Sequence, residues 1–169
     1  MAARSLVLSF ILALGFNTPA FAQSLPLPSA EIQTGWAGFV DDAMIDHAAF
    51  GGAARVYLTP RLALGPEVAY LRGPRSDRDL MVTGNLTFDV LGPRNGRPPR
   101  VTPFLTVGGG VERHSDRFGP TTYSSSEGAF TGGGGLRVWL TDRVFGTIET
   151  RMGWEPHFRV TGGIGVALR

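Results

Sequence analysis

The chain has 169 residues with no cysteine and no lysine, so all 16 basic residues are arginine, set against 14 acids. These absences exclude a disulfide framework, a thiolate metal site, a cysteine nucleophile, a P-loop or Schiff-base lysine and a Ser-Lys dyad. The near-balance of charge also lacks the large basic surface that a polynucleotide requires, so no nucleic-acid partner is expected.

In chain order, Met1-Ala2-Ala3-Arg4-Ser5 leads into an apolar stretch, Leu6–Phe16, and then into Ala20-Phe21-Ala22, the small-x-small form that signal peptidase reads. Residues 1–22 are expected to be a cleaved signal peptide and residues 23–30 an extended leader. Residues 31–169 are expected to form one domain. Removing 22 of the 169 residues leaves 147, with 15 arginines against 14 acids. No later stretch approaches the ~18 uninterrupted apolar residues of a membrane helix, so any spanning is left to strands.

After the leader the sequence alternates with period two, the signature of half-buried strands. Eight runs are marked: Glu31–Val40, Ala48–Leu58, Leu62–Arg72, Leu80–Val90, Val101–Arg113, Ala129–Leu140, Val144–Trp154 and Phe158–Leu168. They are longer than the ~5–6 residues of a typical soluble strand and near the ~9–11 that cross a bilayer at a tilt. Thr59-Pro60-Arg61 and Thr141-Asp142-Arg143 are tight turns of similar composition, expected at the end that carries the termini. The longest connector on the other end, Asp116–Gly128, contains Tyr123-Ser124-Ser125-Ser126. Short inner turns and longer outer loops are the habit of outer-membrane barrels. The Pro- and Arg-rich Gly92–Arg100 segment is long for an inner turn.

The alternation defines two faces. The last run sets Phe158, Val160, Ile164, Val166 and Leu168 against Arg159, Thr161, Gly163 and Gly165. The sixth sets Phe130, Leu136, Val138 and Leu140 against Thr131, Gly133, Gly135 and Arg137. Such a pattern fits a membrane barrel with its apolar face outward or a soluble, lipocalin-like periplasmic barrel whose apolar face encloses a lipid. The polar face, mainly Gly, Ala and Thr with scattered Arg and Glu, suits a narrow lumen better than a solvated exterior. On that reading Arg55, Glu67, Asn85, Asp89, Glu112, Arg137, Glu149, Arg151 and Arg159 point inward, where arginines and acids must pair because unpaired buried charge is costly. The fold class expected is all-β, an eight-stranded antiparallel up-and-down transmembrane barrel with a plugged lumen.

The runs Tyr57-Leu58-Thr59-Pro60-Arg61-Leu62-Ala63-Leu64-Gly65-Pro66-Glu67, Val107-Gly108-Gly109-Gly110-Val111, Gly133-Gly134-Gly135-Leu136-Arg137 and Gly162-Gly163-Ile164-Gly165-Val166 resemble the small outer-membrane β-barrel domain proteins related to the OmpA and OmpX barrels. The resemblance implies a place in the outer membrane of a diderm bacterium, a porin-family-like barrel, and no catalytic residues or cofactor to carry over.

Other chemistry is weighed against plainer readings. His47, His114 and His157 fall at outward strand ends, near Asp41, Asp42, Asp46, Asp116 and Glu155. The expectation is nonetheless that no metal binds, because the fifth strand is placed across the barrel from the eighth, first and second. Some small outer-membrane barrels modify lipid A, and His114-Ser115 is tested against that idea. Adjacent residues in a strand point to opposite faces, so a polar strand end is preferred to an active site. Glycines 108–110 and 132–135 lack the following Lys and Ser/Thr of a phosphate loop. The arginines Arg72, Arg75, Arg78, Arg113 and Arg117 are candidate contacts for lipopolysaccharide phosphates, with solvated loop charge as the alternative. Trp36, Trp154 and Phe158 suit an aromatic girdle, whereas Trp139 is expected on the lumen side. A monomer with outer-membrane lipid and lipopolysaccharide as its surroundings is expected.

Overall fold

The computed structural model describes residues 25–40, 44–94, 96–118, 121–154 and 157–168; the expected signal peptide, together with Asp41, Asp42 and Glu155, lies outside them. Eight strands follow in order: β1 (Ser29–Val40), β2 (Met44–Tyr57), β3 (Leu62–Arg72), β4 (Arg78–Asp89), β5 (Val101–Phe118), β6 (Thr121–Trp139), β7 (Val144–Gly153) and β8 (His157–Ala167). Each pairs antiparallel with its sequence neighbours, and β8 returns to β1 through Ser29↔Ala167 to Phe39↔His157, closing the barrel. Closure gives every central strand two partners and leaves no long sheet edge.

The alternation of the sequence becomes the alternation of the wall. β4 is the clearest case: Asp79, Met81, Thr83, Asn85, Thr87 and Asp89 are buried, and the residues between them are exposed. The buried positions of all strands face inward, whereas large apolar residues cover the outside, including Ile32 (68% exposed), Leu105 (59%), Phe130 (61%) and Met152 (68%). This is the reverse of the lipocalin-like alternative, which needs its apolar face inside.

The turns at the inner mouth are built alike. The amide of Leu58 donates to the carbonyl of Leu62 (2.8 Å), and that of Leu140 to Val144 (2.9 Å). Thr59 Oγ1 accepts from the amide of Leu62 (3.0 Å), as Thr141 Oγ1 does from Val144 (2.9 Å), so each threonine closes its own turn. The Gly92–Arg100 segment folds back on itself through an Arg94↔Arg97 bridge, with Gly96 at φ 73°. A left-handed residue there needs glycine.

β2 begins at Met44, four residues before the marked Ala48, and two strands run far longer than the alternation indicates. β5 and β6 have 18 and 19 residues, so most of the expected Asp116–Gly128 loop is a hairpin whose ladder continues to Phe118↔Thr121. β4 pairs with β5 only as far as Ser115, and β7 with β6 only as far as Thr131. The hairpin therefore projects beyond the rest of the wall. Most of its residues are polar, so the apolar periodicity that marks the wall strands is missing from the tip.

Candidate functional site

The lumen is packed in layers. Nearest the inner mouth, Arg137 Nη1 lies 3.1 Å from Asp89 Oδ2 and donates to Tyr57 Oη at 3.0 Å; Tyr57 Oη in turn donates to Asp89 Oδ2 at 2.7 Å. The Arg137 guanidinium lies over Phe104 and Phe145, at 5.2 and 5.4 Å from the ring centroids, an arrangement in which the ring faces attract the cation. Arg55 Nη2 pairs with Glu31 Oε1 at 2.8 Å. Above these, Glu67 holds two arginines at once: Arg151 Nη2 at 2.6 Å, and Arg159. Arg151 Nε also donates to Glu149 at 2.6 Å, and Asn85 Nδ2 donates to Glu67 at 2.9 Å. Glu112 is buried at the level of its Cα partner Met81.

The structure thus turns all the lumen candidates inward and joins seven of them, with Asn85, into the pairs just given. It adds Glu31, Gln33, Tyr57, Phe104 and Phe145, which the sequence reading passed over. Their inward parity was available: Ser29, Glu31 and Gln33 alternate with Ala30 and Ile32, and Phe104 lies between Thr102 and Thr106. Phe104 and Phe145 pack against the Arg137 guanidinium, a partner that alternation alone does not indicate.

Protein segments lie at both mouths of the barrel. At the inner mouth a cavity of about 310 Å³ lies between Leu25–Leu27 of the leader, Pro93, Pro98 and Pro99 of the folded-back segment, and the Asp89–Arg137 pair beneath. Trp139 lines it and packs on Phe145, with centroids 5.0 Å apart, so it lies on the lumen side. Toward the outer mouth Ala37, Ala49, Ala69, Leu71, Met81 and Ala129 form an apolar cluster, with Phe39 packed against it.

Above this cluster sits a polar rim in which histidines of β2 and β5, expected to lie apart across the barrel, meet. His47 of β2 and His114 of β5 reach the same carboxylate: His47 Nε2 is 3.3 Å from Asp79 Oδ2, and His114 Nδ1 is 2.6 Å from Asp79 Oδ1. Asp77 joins them, with Oδ2 at 3.0 Å from His47 Nε2. Phe39 lies between His47 and His157, at 4.8 and 5.2 Å between centroids. Strand order separates β2 from β5, but the lumen of eight tilted strands is so narrow that inward side chains meet across it. Asp46, also named near the histidines, instead accepts from Trp36 Nε1 at 2.9 Å, and Asp116 accepts from Ser76 at 2.9 Å. His114 is engaged with Asp79, and among the described residues no hydrogen bond joins it to Ser115.

On the outside of the same end, Arg72, Arg78 and Arg113 are exposed on adjacent strands: Arg72 and Arg78 are Cα partners, and Arg113 partners Leu80 two residues along from Arg78. Arg75 and Arg117 are exposed beside them. Trp36 packs on Phe158 at 6.3 Å, and Trp154 is 71% exposed near the same end, which sets aromatic rings at the upper margin of the apolar face.

No family model matches the chain, and no curated protein matches it in sequence. Solved structures do match in fold. Neisserial surface protein A aligns with a TM-score of 0.68 at 11% identity, over 83% of this chain and 96% of its own. The N-terminal barrel domain of Pseudomonas aeruginosa OprF gives 0.62 at 12%, over 83% and 97%. Ail, the attachment invasion locus protein of Yersinia pestis, gives 0.56 at 14%, over 85% and 97%. In fold the chain is a closed, eight-stranded antiparallel barrel of the small outer-membrane type. These neighbours are bacterial outer-membrane barrels.

Proposed function

We propose that the chain is a monomeric, non-enzymatic protein of the bacterial outer membrane. On this reading it is exported by a cleaved signal peptide, has a lumen plugged by ion pairs, and presents an arginine-lined outer rim to the phosphates of lipopolysaccharide. The observation that carries this reading is the continuous apolar exterior around a charged interior. In water such an exterior exceeds by far the few hundred Å² of apolar patch that a soluble protein tolerates. In a bilayer it is the required surface. A strand such as β8, with 11 residues, rises roughly 25 Å at ~3.3 Å per residue and a tilt of about 40°, which matches the apolar band of outer-membrane barrels.

The arginines supply the surface role. Arg72, Arg78 and Arg113 stand just beyond the apolar face, where the phosphorylated headgroups of the outer leaflet would lie, and a guanidinium binds phosphate in a bidentate manner. The test is binding of the detergent-folded protein to lipopolysaccharide and to the same material dephosphorylated. The reading expects binding that depends on the phosphates and that falls about tenfold or more in the triple variant Arg72→Gln, Arg78→Gln, Arg113→Gln. Equal binding by the triple variant would remove the rim from the proposal.

A further inference from the structure

We propose that the outer mouth holds a divalent transition-metal site, best suited to zinc, formed by His47 Nε2, Asp77 and Asp79, with His114 orienting Asp79. It goes beyond the surface role above and does not depend on the arginine rim. The three ligand atoms lie within 4.8 Å of one another.

The hydrogen bonding of His47 shows what the cluster lacks. His47 Nδ1 lies 3.2 Å from the carbonyl oxygen of Ile45, which can only accept, so Nδ1 carries the proton. In the neutral ring Nε2 is then a lone pair, and it faces Asp77 Oδ2 at 3.0 Å and Asp79 Oδ2 at 3.3 Å. Three electron-rich atoms converge on one point and require positive charge there. A proton on Nε2 can be aligned with only one of the two oxygens, whereas a cation between them serves all three. Zinc at about 2.0–2.2 Å from nitrogen and oxygen ligands in a tetrahedron sets them about 3.3–3.6 Å apart. The His47–Asp79 spacing of 3.3 Å meets that range, and the His47–Asp77 spacing of 3.0 Å reaches it with a small outward shift of Asp77. Imidazole among the ligands favours zinc over calcium or magnesium, which take oxygen shells.

The surroundings are those of a held site. An Nδ1–H bonded to a backbone carbonyl is the outer contact that fixes the tautomer of a metal-binding histidine. His114 Nδ1, 2.6 Å from Asp79 Oδ1, performs the same service for a carboxylate. Asp77 Oδ1 is buried with no hydrogen bond among the described residues, and its ion-pair contact with His114 Nδ1 is a long one, at 3.6 Å. The loop that carries Asp77 is closed by Gly73 N to Asp77 O (3.0 Å) and Asp77 N to Pro74 O (3.2 Å), and it places Arg75 at φ 59°. A non-glycine residue in that region persists where its surroundings hold it. Gly73 itself packs so closely that a Cβ there would lie 2.5 Å from His47 Nε2 and 2.6 Å from Asp77 Oδ2. The glycine backbone therefore walls one side of the cluster.

The test is calorimetric titration of zinc chloride into the chelator-stripped, detergent-folded chain at neutral pH. One zinc per chain is expected, with affinity lowered at least about tenfold by His47→Gln and by Asp77→Asn, and unchanged by Asp142→Asn at the opposite mouth. The mobility of each unboiled variant on a gel checks that it folds. If a ligand variant does not fold, cobalt(II) bound to the unaltered chain decides: intense four-coordinate visible bands support the site, and a weak six-coordinate spectrum overturns it. Absence of stoichiometric zinc, or equal affinity in a folded His47→Gln, also overturns it.

Discussion

Glu67 is the residue on which most of the lumen converges. It accepts from Arg151, Arg159 and Asn85, and its side chain is almost fully buried. Removing its charge leaves two buried guanidinium groups short of a partner, a loss that typically costs ~3–5 kcal/mol. Glu67→Gln is therefore expected to lower the urea midpoint of the detergent-folded protein markedly, whereas Glu127→Gln, at an exposed position of β6, leaves it in place. Equal midpoints for both would mean that water, not the arginines, satisfies Glu67. Single residues of this layer were legible in the sequence because inward parity and charge coincide at Arg137, Glu149 and Arg151. Their pairing was not, because partners such as Glu67 and Arg159 are 92 residues apart and meet only when the barrel closes. The rim cluster was illegible for the same reason. Asp77 and Asp79 have no special neighbours in sequence, and the tilt that carries His47 over β3 to them leaves no trace in the alternation. One glycine in the lumen is explicable by space alone: a Cβ on Gly108 would lie 1.9 Å from Asn85 Oδ1, the atom that accepts from Arg151 at 3.1 Å.

The strands divide into those that form the wall and the parts that leave it. β3, β4 and β8 match the alternation of the sequence to within two residues of its marked ends, because each turns an apolar set outward over its whole length. β5 and β6 leave the wall after Ser115 and before Thr131, and there their only strand pairing is with each other, with Ser76 bonding Asp116 and Arg117 at the base. A two-stranded ribbon without further partners is marginal on its own, and local opening is easiest where backbone hydrogen bonds are exposed. Trypsin should therefore cut first after Arg117 in this hairpin, leaving a barrel that stays folded in detergent. First cleavage after Arg61 or Arg143, in the threonine-closed inner turns, would contradict this account of where the structure is weakest. Mass spectrometry of the limited digest reads the outcome directly.

For the molecule as a whole, the order of polarity is inverted relative to a soluble domain. Charged groups such as Arg137, Glu149 and Arg151 are buried, and most of the large apolar residues are outside. The interior is stable only because the charges are paired and the barrel excludes edges. The exterior is stable only in contact with hydrocarbon. Cell fractionation followed by gel mobility with and without boiling tests this most directly. The account predicts recovery of the protein in the outer-membrane fraction, retention there through a high-salt wash, release by detergent, and a faster-running band before boiling. Recovery in the soluble periplasmic fraction, with one mobility regardless of heating, would contradict it.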